Sequence, residues 1–277
     1  MEKLEKDKIK AIVVDLDGTT LGDDAKLTER TCRALRGCMA KGLRVIIATG
    51  RSAESAEPYR AALGAEGPMV YYNGSMVLDM PSRAVIDSHY IEQEAIAACA
   101  DIARAGGSQF CVFLCKKDDL FSEILATENP SDSAANYSER SGLEFLYGEL
   151  GDIIRAGDSY CIKGIFVDEE KKLRRVRENI HEKLGGKVTC VMSADYILEI
   201  LPIGVSKASG MSAALKSYGL SPRDAIAFGD EENDIEMLSL AAYSVAPSNA
   251  RHSAREAAKL TIDAHNKDGL AVFLEKT

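Results

Sequence analysis

The chain has 277 residues, 46% of them hydrophobic and 28% charged, with 34 Lys and Arg against 43 Asp and Glu for a net charge of −9. That length exceeds the usual single domain, so a second domain or a large insertion is expected, and the ordinary composition argues against a disordered or repetitive chain. An acidic surface repels nucleic acid and anionic lipid, no stretch approaches the ~20 apolar residues of a membrane span, and the apolar run near the start is too short for a signal peptide. The expectation is a cytoplasmic protein with neither nucleic acid nor membrane as partner, a monomer or a homodimer. The 7 cysteines form an odd set without a CxxC pair or a neighbouring histidine, which predicts reduced, buried thiols.

Residues 9–14 (IKAIVV) form a β-branched run that ends at a carboxylate, and a helical pattern follows, capped by Thr28 and closed by Gly42. LRVIIAT at 43–49 repeats the buried-strand pattern, Ser52 opens a helix that ends at Gly64, and 69–72 reads as a third strand. Continuous apolar strands alternating with helices predict a parallel sheet covered on both faces. Two short strands at 75–78 and 84–87, around Met80-Pro81-Ser82, predict a hairpin leaving that sheet.

The alternation then stops. A helix at 92–105, strands near 110–115 and 159–167, a helix at 169–184, and strands at 187–192 and 196–201 suggest an α+β insertion. The stretch 116–158, rich in Asp, Glu, Ser and Gly, gives no assignable element. From Ser206 the first rhythm returns: a helix to Tyr218, a strand at 224–228, a helix from 231, a strand at 243–246, a helix at 249–258, a strand at 260–262 and a helix from 268. The predicted fold is therefore α/β, a doubly wound parallel-sheet (Rossmann-like) core at 1–87 and 202–277, with an inserted α+β cap domain at 88–201. Its active crevice belongs at the carboxyl ends of the strands.

Four groups of polar residues fall at such ends. Asp15 and Asp17, at i and i+2, can face one side on leaving the first strand, and Gly18 permits a sharp turn. Two close anions need a cation, and Mg²⁺ suits hard oxygen ligands with a substrate phosphate. Asp230, after the strand AIAF, can complete the metal site with Asp234 nearby. Thr49, Gly50 and Arg51 follow a strand and open a helix, where a hydroxyl and free amides can hold a phosphate oxygen. Lys207 adds a point charge, so the set has what an in-line phosphoryl transfer needs.

These segments, DLDGTT at 15–20, ATGR at 48–51, GVSKASGM at 204–211 and GDEENDIEML at 229–238, resemble in order and spacing the motifs of the haloacid dehalogenase-like phosphatases, in their Cof-type branch with a large α/β cap. The resemblance implies a phosphoric monoester hydrolase that removes phosphate from a small soluble phosphoester, such as a sugar phosphate or similar metabolite. Asp15 would be the nucleophile that forms an aspartyl-phosphate, and Asp17 the general acid and then the base. Mg²⁺ would be held by the Asp15 carboxylate, the Asp17 carbonyl and Asp230, with Asp234 as a further or water-mediated ligand. Thr49 and Lys207 would bind the phosphoryl group, Gly50 would lend an amide, Asn233 would lie near the phosphate, and Asn73 with Gly74 would line the entrance. The family commonly has Met-Gly-Asn-Ala after the last motif, where this chain has Ala246-Pro247-Ser248-Asn249-Ala250.

Other readings carry less. The four histidines are scattered without HxH or HExxH spacing, which leaves zinc catalysis without support. The basic run Lys171, Lys172, Arg174, Arg175 and Arg177 reads as a solvated helix face. No P-loop and no strand-linked GxGxxG occurs. A phosphomutase or phosphotransferase on the same core, or a catalytically silent binding protein, are the alternatives to a hydrolase.

Overall fold

The computed structural model describes residues 8–129, 145–155 and 158–276. The described residues divide into two compact units, one formed by the segments ending at Ser88 and beginning at Ser206, the other spanning His89–Val205.

In the first unit, strand β1 (Ala11–Val14) is buried along its whole length, and helix α1 (Glu29–Ala40) follows with the Thr28 hydroxyl accepting the Thr31 amide at its start. Strand β2 (Arg44–Ile47) leads to helix α2 (Ala53–Leu63), capped by Ser52 and closed by Gly64 in the left-handed conformation. Strand β3 (Gly67–Tyr71) does not take a full place beside β2, as the alternation of elements predicts. It touches the extension of β2 through a single Ala48–Val70 bridge and instead forms an antiparallel sheet with β4 (Met76–Met80) and β5 (Ala84–Ser88). The physical reason is the tight turn at Tyr72-Asn73, both at positive φ, which folds β4 back on β3 and satisfies its backbone there.

The second unit opens with α3 (Gln93–Gly106), then β6 (Gln109–Lys116), β7 (Ile124–Thr127), β8 (Phe145–Tyr147), α4 (Leu150–Arg155), β9 (Ser159–Val167), α5 (Glu170–Leu184), β10 (Val188–Ala194) and β11 (Ile197–Pro202). Its strands form one sheet in the order β10-β11-β9-β6-β7-β8, antiparallel except for the β7–β8 pair. Alternate residues Phe110, Val112 and Leu114 of β6, with Leu198 and Ile200 of β11, pack against Ile96, Cys99 and Ala103 of α3 and Leu173, Val176 and Ile180 of α5. β7, β8 and α4 occupy the stretch where sequence gives no element, and residues 130–144 and 156–157 of it lie outside the described residues.

Back in the first unit, α6 (Lys207–Ser217), β12 (Ala225–Phe228), α7 (Ile235–Leu240), β13 (Tyr243–Pro247), α8 (His252–Ala257), β14 (Leu260–Ile262) and α9 (Gly269–Glu275) complete the chain. Two of these helices are shorter than their patterns predict: residues 232–234 form a single 3₁₀ turn before α7, and the Pro247-Ser248 segment delays α8 to His252. β14-β13-β12-β1-β2 is a parallel five-stranded sheet. One face, including Ala11, Val13 and Ala227, packs on Met211, Leu215 and Met237 of α6 and α7. On β12, Phe228 meets Phe273 of α9 edge-on, with 5.7 Å between ring centroids. From β1 the chain proceeds to β2 on one side, whereas β12, β13 and β14 build outward on the other, so the crevice between β1 and β12 is the point where strand order reverses.

Candidate active site

β1 and β12 lie in parallel register, with Val14 opposite Phe228, and the Asp15 amide donates to the Phe228 carbonyl at 3.0 Å. The two chains therefore leave the sheet side by side. The first bends at Gly18, whose φ of +75° suits glycine, and a Cβ there would stand 2.2 Å from an Asp230 carboxylate oxygen. Asp15, Asp230 and Asp234 are all buried, and each offers an oxygen within 4.8 Å of the others.

Lys207, the first residue of α6, reaches into this group. Its Nζ donates to Asp15 Oδ1 at 2.6 Å and to Asp234 Oδ1 at 2.7 Å. The second Asp234 oxygen accepts the Asp230 and Glu231 amides, both at 3.0 Å. Asp234 thus fixes the loop after β12 and the lysine together, whereas Asp230 keeps one oxygen on the Thr19 hydroxyl at 2.6 Å. The Thr20 hydroxyl donates to the Asp15 carbonyl.

The electrostatics follow from three carboxylates and one ammonium in a dry place. Burial pushes Asp15 well above the usual carboxylate range; Lys207 pulls against this, and Asp234, Asp230 and Asp17 add to the rise. Burial, then repulsion from Asp234, raises Asp230 to about 7. Burial disfavours the Lys207 ammonium, but Asp15 and Asp234 outweigh it and hold its pKa above the ordinary value. A surplus of buried negative charge made of hard oxygen donors fits a divalent cation of the Mg²⁺ type.

Around this centre, Thr49 is fully buried at the end of β2, its hydroxyl oxygen accepting the Arg51 amide at 3.1 Å, which leaves its own O–H to donate. Gly50 lies between them. Asn73 takes a left-handed conformation, its amide donates to the Thr49 carbonyl at 2.9 Å, and its side-chain oxygen accepts from Asn233 Nδ2 at 3.0 Å. Gly74, at φ +99°, lets the turn pass the start of α6, since a Cβ would stand 2.2 Å from the Ser206 carbonyl oxygen.

Asp17 stands apart from the three clustered carboxylates. Its side chain, 54% exposed, is held by Arg51 through two parallel bonds, Nε to Oδ2 at 2.7 Å and Nη2 to Oδ1 at 2.6 Å. The Asp17 carboxylate is therefore no member of the metal-ligand cluster, and the Arg51 guanidinium is committed to it.

Sequence reasoning assigns no role to Thr19 or Thr20; their signal is two hydroxyls directly after the Asp-Leu-Asp-Gly turn. It also passes over the tie of Asn249, whose Nδ2 donates to the Gly18 carbonyl at 2.9 Å while its Oδ1 accepts the His265 amide at 3.0 Å. Pro247 and Ser248 change the sequence of that loop, and Asn249 still clasps the turn behind Asp15.

A parallel α/β core with buried carboxylates and a lysine at its strand-order reversal is the arrangement of a doubly wound enzyme with a charged site suited to a metal ion and an anionic group. The model of the haloacid dehalogenase-like hydrolase family matches residues 12–274, and the chain belongs to that family. It is similar to an Arabidopsis thaliana protein named a chloroplastic endoribonuclease, 28% identical over 97% of this chain, although the chain spans only 46% of that protein's length. It is 25% identical to a Bacillus subtilis 5-amino-6-(5-phospho-D-ribitylamino)uracil phosphatase, over 97% of this chain and 98% of that protein. A Bacteroides thetaiotaomicron haloacid dehalogenase-like hydrolase of known structure superposes with a TM-score of 0.81 at 25% identity, covering 97% of this chain and 99% of the other. No helix among the described residues is long and apolar enough to cross a membrane.

Proposed function

We propose that this hydrolase is a Mg²⁺-dependent phosphatase that removes phosphate from a small phosphorylated metabolite, a sugar phosphate or a similar ester, through a phosphoryl group carried on Asp15. The observation that carries the reading is the buried trio Asp15, Asp230 and Asp234 with the Lys207 ammonium between two of them. The likeness to a phosphatase of a ribityl phosphate over nearly both full chains points to the same substrate class.

Asp15, Asp230 and the Asp17 carbonyl would hold the metal, with Asp234 behind them. When bound, the cation supplies positive charge that offsets the phosphoryl oxygens and the carboxylates. The Asp15 carboxylate attacks phosphorus, the bond from phosphorus to the leaving oxygen breaks, and Asp17 passes its proton to that oxygen. Asp17 then takes a proton from water, the water oxygen bonds to phosphorus, and the bond to Asp15 breaks. Lys207 and the Thr49 hydroxyl hold the phosphoryl oxygens, joined by the Gly50 amide, while Asn73, Gly74 and Asn233 border the site. The core at 1–87 and 202–277 would carry this chemistry, and the α+β unit between would act as a cap that selects the substrate.

The test is phosphate release from a panel of sugar phosphates, nucleotides and other small phosphoesters, with Mg²⁺ or with chelator, by wild type and Asp15→Asn. Metal-dependent release that disappears in the variant is expected. Release that survives the substitution, or none from any compound, contradicts the reading.

A further inference from the structure

We propose that Arg51 is a positioning residue for Asp17: it holds the acid–base carboxylate in a fixed orientation and is itself braced by Tyr59. The inference rests on the reading of Asp17 as the group that protonates the leaving oxygen.

The geometry has three parts. First, both oxygens of the Asp17 carboxylate are engaged by the fork of one guanidinium, at 2.7 and 2.6 Å, an arrangement that fixes the plane of the carboxylate as well as its place. A single ammonium could fix the distance but not the plane. Asp17 is more than half exposed and lies just before the left-handed Gly18, so without this fork its χ1 and χ2 would be free to rotate in water.

Second, Arg51 is anchored along its length. Its amide donates to the Thr49 hydroxyl, its carbonyl accepts the Tyr72 amide at 2.9 Å, and its Nη1 donates to the Ser55 hydroxyl at 3.4 Å. The backbone that carries the guanidinium is thus tied both to the proposed phosphate-binding turn and to the end of β3.

Third, the guanidinium lies over the Tyr59 ring with 5.1 Å to its centroid, and the Tyr59 hydroxyl donates to the Ala25 carbonyl at 3.0 Å. Tyr59 on α2 therefore links the loop after the Asp15 turn to the guanidinium from behind. A residue meant only to attract a phosphate gains nothing from having its face covered and its Nε and Nη2 spent on a carboxylate. One meant to aim that carboxylate gains from each of these contacts.

Such a role has a signature that phosphate binding lacks. An acid matters most where the leaving oxygen is strongly basic, and little where the leaving group departs as a stable phenolate. The experiment uses the full chain with Mg²⁺ and two substrates, p-nitrophenyl phosphate and an alkyl phosphate that the wild type hydrolyses, with kcat/KM measured for each, since that ratio reports the step in which the leaving oxygen departs and excludes the water step the two esters share. Arg51→Met is expected to lower kcat/KM for the alkyl ester about tenfold more than for the aryl ester, while kcat, which includes the shared water step, falls more evenly. Arg51→Lys should fall between wild type and Arg51→Met. Tyr59→Leu, which leaves Arg51 in place, should show the same preference reduced to about threefold, in line with the modest strength of a cation–π contact. Asp17→Asn run in parallel must show the same selective loss.

Equal losses of kcat/KM on the two esters in Arg51→Met would assign Arg51 to phosphate binding or to the fold and overturn the proposal. If Asp17→Asn itself loses both activities equally, the acid role fails and the inference falls with it. A wild type inactive on every ester would reveal failure of the phosphatase reading at the outset.

Discussion

Both units bury charge, but they do so differently. In the unit of β6–β11, Lys163 and Glu199 form an ion pair at 3.1 Å, both side chains almost wholly buried. Register and alternation place them on the sheet face away from α3 and α5: Lys163 is opposite Phe113, and Glu199 lies between the core residues Leu198 and Ile200. In the other unit Lys207 faces Asp15 and Asp234, with Asp230 a third carboxylate in the same cluster. Opposite charges in a pair offset each other, whereas an unbalanced cluster costs stability until something positive joins it. The excess of like charge, more than burial itself, separates a candidate site from a structural contact.

The largest expected effect lies at the surplus. Asp15→Asn should abolish phosphate release, by at least about 10³-fold, while the metal-free protein melts no lower than wild type because one of three repelling charges is gone. Activity assays and thermal melts in chelator check the two halves, and a large drop in melting temperature would show that the cluster is structural.

Next come the two lysines. Lys207→Met and Lys163→Met should each cost about 3–5 kcal/mol in urea unfolding, since each leaves buried carboxylate without its partner. They should part in the second step: Lys163→Met with Glu199→Leu should return to within about 1.5 kcal/mol of wild type, because an apolar pair can replace a balanced ion pair. Lys207→Met with Asp234→Leu should not, since Asp15 and Asp230 remain and the Asp230 and Glu231 amides lose their acceptor.

Smaller still is a pH effect from buried thiols in the second unit. Burial raises Cys99 to about 12 and Cys115 to about 11, both above the ordinary 9.0. The unfolded chain gives up these protons first, so the stability they contribute is complete below the ordinary thiol value and is lost as pH rises through the folded values. Urea unfolding from neutral pH into this alkaline range should show that decline, and replacing both cysteines with Ala should reduce it, the remainder coming from Cys111, Cys161 and Cys190 of the same unit, whose thiols burial also raises.

Much of the fold is legible in the chain because local chemistry sets it. Thr28, Ser52 and Gly64 mark helix ends by hydroxyl caps and a left-handed glycine, and apolar β-branched runs mark β1 and β2. β3 is misread because its pairing with β4 depends on the Tyr72-Asn73 turn, where two non-glycine residues take positive φ. β7 and α4 escape because their short apolar runs are embedded in polar sequence, and packing against the sheet decides them. For the candidate site, residue type and strand-end position are visible in sequence, but partnership is not. Thr19 meets Asp230 across 211 positions, and Arg51 meets Asp17 across 34, so no local pattern encodes either contact.

The most direct test of the charge surplus is calorimetric titration of the purified chain with Mg²⁺, for wild type and Asp230→Asn. One ion per chain, bound at least about tenfold more weakly by the variant, is the expected result. No binding by wild type, or the same affinity in both proteins, would contradict a metal centre at Asp15, Asp230 and Asp234.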